Sequence, residues 1–304
     1  MWGVVLHFEE ILGNESNKLF LNNILKNDTV SHSYMFIGKN SIGKLLFAKE
    51  FAKGILCFND ADKPCEHCNS CKKFASNNHP DFFTLDEDET TIKNEQIREL
   101  NKSILEKPIE SLKKVYIINN SENMTIQAQN SLLKTLEEPP EHAVIILITA
   151  NENKMLTTIK SRCTKIYFNP LSDDEVKKIL TKTFNIHNLS NKVLKIAGGS
   201  IDNALKVQTN EDTYNILENI FTDLKNKNLI ELLQQKELLC EKKEDIYNIL
   251  DYLNVLFKDL AKTNTKYSNC IFVVEQTKER LKKNSNFDMT IDNLLLQIWE
   301  EING

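Results

Sequence analysis

The sequence runs to 304 residues, with 41% hydrophobic and 27% charged side chains, which excludes global disorder and collagen-like or low-complexity character and leaves a core large enough to fold without disulfides. Only 8 glycines and 6 prolines punctuate it, a scarcity that favours long helices over a many-turned all-β fold. The formal net charge of −5 argues against a nucleic-acid-binding surface spread over the whole molecule, and almost every basic residue is lysine, the arginines being Arg98, Arg162 and Arg280.

Residues 1–10 lack the basic stretch and sustained apolar run of a signal peptide, and nowhere is there a run of about 18 apolar residues. The expectation is a soluble, cytoplasmic protein without a membrane partner, whose cysteines are reduced thiols or metal ligands.

The first predicted strand, 34–37, leads into Gly38-Lys39-Asn40-Ser41-Ile42-Gly43-Lys44-Leu45, and a helix is expected over 44–56. Strand, glycine loop and helix start are the context of a P-loop. Gly38 and Gly43 let backbone N–H groups curl around phosphate, the helix N-terminus adds positive dipole, and Lys44 adds a point charge. Leu45 stands where a hydroxyl would ligate Mg²⁺. Two readings stay open, a degenerate nucleotide site or a tight strand-to-helix turn with an exposed lysine.

Cys57, Cys65, Cys68 and Cys71 follow with the spacing C-x7-C-x2-C-x2-C, on a segment expected to be a knuckle loop. Four soft ligands with no open position describe a structural Zn²⁺ site that holds a module together. An iron–sulfur cluster fits the same spacing, and redox chemistry by one C-x-x-C pair is the weaker alternative. His67 and His79 are expected to be bystanders.

Further strands are expected at 82–85, 115–118, 143–149 and 165–168, with helices over 94–106 and 127–138, the latter closed by Pro139-Pro140. Short apolar runs alternating with helices predict a parallel α/β sheet buried on both faces. Asn119-Asn120 follow the third strand where a hydrolytic site needs an acidic pair, and an amide neither neutralises Mg²⁺ nor acts as a base. Ser161-Arg162-Cys163 precedes the fifth strand. A solitary arginine there is by default a surface or salt-bridge residue.

Beyond residue 168 the pattern becomes helical. Ser172-Asp173-Asp174-Glu175 reads as a capping box, a helix over 188–197 ends at Gly198-Gly199, and stripes such as Ile216, Ile220, Leu224 and Ile246, Leu250, Leu253, Phe257 predict a bundle. Lys282 to Asn286 is expected to be a loop. Three units follow, α/β over 1–168, small helical over 169–208 and larger helical over 209–304. Cys240 and Cys270 are expected to be packed in the interior.

Four of these features, the P-loop, the four-cysteine insertion, Ser161-Arg162-Cys163 and the phrase Asn130-Ser131-Leu132-Leu133-Lys134-Thr135-Leu136-Glu137-Glu138-Pro139-Pro140, occur in an order that resembles the bacterial clamp-loader AAA+ subunits of DNA polymerase III. The resemblance covers residues 1 to about 207, and the last hundred residues share only helical character. It implies an AAA+ five-stranded parallel sheet with a zinc-binding insertion, a helical lid at 169–208 and an all-α collar at 209–304. Leu45, Asn119-Asn120 and Asp202, which stands where catalytic members have a sensor arginine, place the chain with the family's non-hydrolysing branch. The resemblance further implies that Arg162 acts in trans on ATP held by a neighbouring tau/gamma subunit. The implied partners are the tau/gamma and delta subunits, the sliding clamp and, through the assembly, primed DNA. The competing readings are an active AAA+ ATPase of the same fold and a zinc-dependent nucleic-acid-binding protein.

Overall fold

The computed structural model describes residues 8, 10–59, 62–85, 91–187 and 189–304. Most of the N-terminal segment read for targeting, and Asn188 at the expected start of the second helix of the helical region, lie outside the described residues. Contacts divide the chain into a unit that ends at Glu175 and a unit Val176–Gly304. No helix among the described residues is long and apolar enough to cross a membrane.

In the first unit, α1 (Glu15–Lys26) precedes β1 (Ser33–Ile37) and α2 (Lys44–Leu56). Next come α3 (Asn69–Ala75), β2 (Phe82–Leu85), α4 (Asn94–Leu105), β3 (Lys114–Ile118), α5 (Ile126–Glu137), β4 (Ala143–Thr149), α6 (Thr157–Lys160) and β5 (Thr164–Tyr167). All pairings are parallel and the strand order is β2-β3-β4-β1-β5. The expected strands all form, each within one residue of its expected bounds.

The central strands β1, β3 and β4 are buried along their whole length because both faces are covered. Met35, Ile37, Tyr116, Ile118, Ile145 and Leu147 face one way and pack with Ile97, Ile104, Leu132 and Leu136 of α4 and α5. Residues of the opposite parity meet α2, where Tyr34 stands edge-on to Phe51 with ring centroids 5.1 Å apart and Phe168 packs against Phe36 and Phe47. Because the chain moves from β1 toward β2 on one side and from β4 to β5 across the other, the order reverses between β4 and β1. The carboxyl ends of those strands are where an open α/β sheet builds a ligand site.

Ser172 and Glu175, at the end of the first unit, close the expected capping box ahead of α7 (Asp173–Phe184), which runs on into the second, with the Ser172 amide donating to the Glu175 carboxylate at 2.7 Å. Then come α8 (Asn191–Ala197), capped by Ser190 and ended by Gly198 at φ 53°, and α9 (Ile201–Thr209). The remaining helices are α10 (Glu211–Thr222), α11 (Leu229–Leu233), α12 (Gln235–Glu241), α13 (Ile246–Ala261), α14 (Tyr267–Lys282) and α15 (Phe287–Asn303). Residues 283–286 form the expected connection between the last two. Helix α13 packs on α14, α14 on α15, and α8 also reaches α13. Tyr214 and Phe221 of α10 meet Tyr252 and Phe257 of α13 edge-on.

Two expectations change here. Ile216 is 44% exposed, and the buried face of α10 consists of Thr213, Tyr214, Leu217, Ile220 and Phe221. The reason is rotational: a strict spacing of four turns by about 40° at each step, whereas alternating threes and fours stay on one face. Cys270 is fully buried as expected, but Cys240 is only half-buried and its thiol donates to Asp288 at 3.5 Å.

Candidate functional site

Gly38 must lack a side chain, because a Cβ there would lie 2.7 Å from the Phe168 carbonyl oxygen and 2.9 Å from Ile42. Gly43 sits at φ 94°, a left-handed conformation in which glycine alone is unstrained, and it caps α2. Lys44 is not the exposed lysine of the tight-turn reading. It is 6% exposed, and its ammonium donates to the loop's own carbonyls, Gly38 O at 2.7 Å and Lys39 O at 2.5 Å. Burial lowers its pKa to about 8, opposed by the carboxylate of Glu122. The P-loop therefore closes on its own lysine, since a buried ammonium must find acceptors and the carbonyls are the nearest.

At the end of β3 the Asn119 amide extends the ladder to Leu85 O at 3.0 Å, and Asn120 adopts φ 48° to start a short turn. No carboxylate occupies either position. Two residues later stands Glu122, which the sequence reading passed over. One of its oxygens accepts from the Ala150 amide at 3.0 Å while the other is buried without a hydrogen-bond partner. Asp202, in the first turn of α9, is ion-paired with Lys206 at 3.0 Å.

Cys57 ends α2, Cys65 follows in the loop, Cys68 caps α3 and Cys71 lies within it. The second half of the expected knuckle loop is thus helical, because the Cys68 sulfur accepts from the Cys71 amide at 3.4 Å as an N-cap. All four sulfurs lie within 4.8 Å of one another, with Cys57 and Cys68 4.0 Å apart. A tetrahedral ion with thiolate bonds of about 2.3 Å needs sulfurs about 3.8 Å apart, so the set fits a metal ion after a slight inward movement.

Burial opposes ionisation of Cys68, but amides of Cys71 and Phe58 and the neighbouring thiols outweigh it and bring it down to about 6. Burial, the Cys68 thiol and the charge of Cys57 push Cys71 up. Four thiolates this close cannot coexist without a cation between them. His67 and His79 stand outside the set, as expected: the His67 ring faces Cys65 O, and His79 takes other partners.

Two groupings that anchor this module escaped the sequence reading. Lys53 of α2, 1% exposed, pairs with both oxygens of Glu66 between Cys65 and Cys68, and lies 4.0 Å from Glu50. Ser70 donates to Leu56 O at 2.6 Å and meets His79 Nε2 at 2.9 Å, while His79 Nδ1 accepts from the Asp81 amide at 3.1 Å. The Asp81 carboxylate accepts amides of Ile109, Glu110 and Ser111 at 2.6, 2.8 and 2.8 Å. Burial raises the Asp81 pKa, but these three donors outweigh it and hold it low. A serine, a histidine and an aspartate meet here without forming a hydrolytic triad, because the Asp81 carboxylate faces a loop and Ser70 is fully buried.

Arg162 lies between α6 and β5. Its backbone amide donates to Ile159 O at 3.0 Å and its carbonyl accepts from Ser33 Oγ at 2.6 Å. Its side chain, 32% exposed, donates from Nη1 to Thr158 O at 2.7 Å and pairs through Nη2 with Glu137 at 2.7 Å. The salt bridge expected by default is therefore present. Cys163 beside it is half-buried, and the loss of solvent pushes its thiol up to about 11.

Residues 13–172 match the family described as DNA polymerase III, delta subunit. The chain is 42% identical over 160 residues to the DNA polymerase III subunit delta' of Bacillus subtilis, covering 53% of this chain and 48% of that protein. It is 35% identical over 175 residues to the gamma/tau subunit of Mycoplasma pneumoniae, covering 58% and 26% respectively. The matched part thus spans about half, or less, of these curated relatives. A gamma subunit-related protein of Thermotoga maritima is 18% identical, with a TM-score of 0.48 over 92% of this chain and 99% of that one. The match takes in over half of the sequence and contains the P-loop, the four cysteines and Arg162, and so the chain belongs to the DNA polymerase III delta subunit family.

Proposed function

We propose that this chain is a non-hydrolysing, delta-prime-type subunit of the replicative DNA polymerase III clamp loader. In this reading Arg162 reaches ATP held by a neighbouring tau/gamma subunit and stabilises the charge that develops on the transferred phosphoryl group. The assembly, which also contains the delta subunit, opens the sliding clamp and places it on primed DNA. Residues 169–208 serve as the lid and 209–304 as the collar that packs with other subunits. Cys57, Cys65, Cys68 and Cys71 hold one structural Zn²⁺, which supplies cross-linking and no chemistry.

The observation that carries this reading is a contrast within one sheet. The chain's own nucleotide site has Lys44 folded onto Gly38 and Lys39 and neutral Asn119 and Asn120 at the end of β3, whereas Arg162 is partly exposed and held in place. The test is clamp- and DNA-stimulated ATP turnover by the tau/gamma and delta subunits without this chain, with it, and with Arg162→Ala. The chain should raise turnover, and the variant should assemble yet lose at least one subunit's share. A variant equal to wild type sinks the in-trans role.

One observation favours a second reading, an active ATPase: the buried, unpartnered oxygen of Glu122, whose charge acts on Lys44. Calorimetry with Mg²⁺ and ATP separates the two. The first reading expects weak or absent binding by the chain alone, and the second expects tight binding that Glu122→Gln abolishes.

A further inference from the structure

The side chain of Arg162 is fixed at both ends. Its backbone is tied to Ile159 and to Ser33 of β1, and its guanidinium is tied to the Thr158 carbonyl of α6 and the carboxylate of Glu137, the last residue of α5. A partly exposed arginine otherwise samples many rotamers, and losing that freedom on meeting a phosphate costs free energy. An arginine has five N–H donors. Thr158 O, a longer contact to Ser161 Oγ at 3.4 Å and Glu137 engage Nη1 and one proton of Nη2. Nε–H and the other Nη2 proton remain for an incoming anion.

We propose that Glu137 is a positioning residue for Arg162: its carboxylate holds the guanidinium in one orientation before a neighbouring subunit's phosphate arrives. The inference rests on the in-trans role proposed above. Glu137 touches no nucleotide and acts only through Arg162, so its removal has no effect where Arg162 is already gone.

The assay is clamp- and DNA-stimulated turnover by the full assembly containing wild-type chain, Glu137→Gln, Arg162→Ala or both substitutions. A half-exposed ion pair of this kind corresponds to a change of about two- to fivefold. Glu137→Gln should lower the Arg162-dependent part of turnover by that factor with the KM for ATP unchanged, and the double variant should match Arg162→Ala. If Arg162→Ala alone changes nothing, the in-trans role fails and this inference with it. If Arg162→Ala lowers turnover but Glu137→Gln does not, or lowers it equally in both backgrounds, only the positioning role fails.

A second measurement needs no assembly. With only three arginines in the sequence, the guanidinium groups of the ¹⁵N-arginine-labelled chain are separately observable by NMR. Slowed rotation of the Arg162 guanidinium in the wild type, relaxed to a single averaged line in Glu137→Gln, is the expected result. An averaged line in the wild type overturns the proposal.

Discussion

Glu50 sits in the middle of α2 at 2% exposure, 4.0 Å from Lys53. Burial raises its pKa to about 7, which Lys53 opposes and Glu66 reinforces. The native state therefore retains a proton that the unfolded chain has released between the ordinary carboxylate range and pH 7. The group's contribution is most favourable at acid pH and declines as pH rises through about 7. Glu50→Gln should flatten that decline and raise the melting temperature at pH 8 by about 2–4 °C relative to its effect at pH 5. Parallel melting curves for variant and wild type at the two pH values would contradict this assignment. Gly38 makes a steric case at the same scale. A methyl group 2.7 Å from the Phe168 carbonyl meets backbone that cannot rotate away, so Gly38→Ala should cost about 1–3 kcal/mol in denaturant unfolding. Both side-chain identities are plain in the sequence, and so is Lys53 one turn from Glu50, but Glu66 and Phe168 come from elsewhere in the fold.

The cysteine module is the element that the proposed metal would hold together. Its backbone is held by the Cys68 cap on α3, by Lys53 on Glu66 and by Ser70 on Leu56 O, and these bonds alone would not neutralise four clustered thiolates. Cys71→Ser, or chelation, should release one Zn²⁺ per chain. It should also speed amide exchange over α3 while β3 and β4 keep their protection, because the sheet core does not include the module. Native mass spectrometry that finds no metal on the wild-type chain would remove the site. The clustering of the four sulfurs was legible from spacing, since cysteines two residues apart can face one point whatever surrounds them. That α3 would carry Cys71 was not legible, because a cysteine at an N-cap position lacks the usual serine or aspartate signal.

On the scale of the whole molecule, the net charge of −5 and the predominance of lysine over arginine predict that the isolated chain has only weak affinity for primed DNA. Fluorescence anisotropy should show no tight, salt-dependent complex. Tight binding with a steep salt slope would instead favour the nucleic-acid-binding alternative. The order β2-β3-β4-β1-β5 sets the carboxyl ends of β1 and β4 side by side. It brings the P-loop near Glu122, which follows β3, and places Arg162 where the chain enters β5.

The sequence by itself determined the strands, the capping box at Ser172, the glycine loop and the gathering of the four cysteines. Each of these is written in apolar periodicity or in residue spacing over a few turns, where backbone geometry alone decides which side chains share a face or surround a point. Tertiary structure alone decided that Lys44 closes onto Gly38 and Lys39, that the charge of Glu122 acts on that lysine, that Asp81 binds the loop at 109–111, and that Glu137 pairs with Arg162. The physical reason is that a buried or half-buried charge takes whichever partner the packing brings within reach. For Arg162 that partner is fixed by how α5, α6 and β5 meet around the sheet, which no local pattern in the chain encodes.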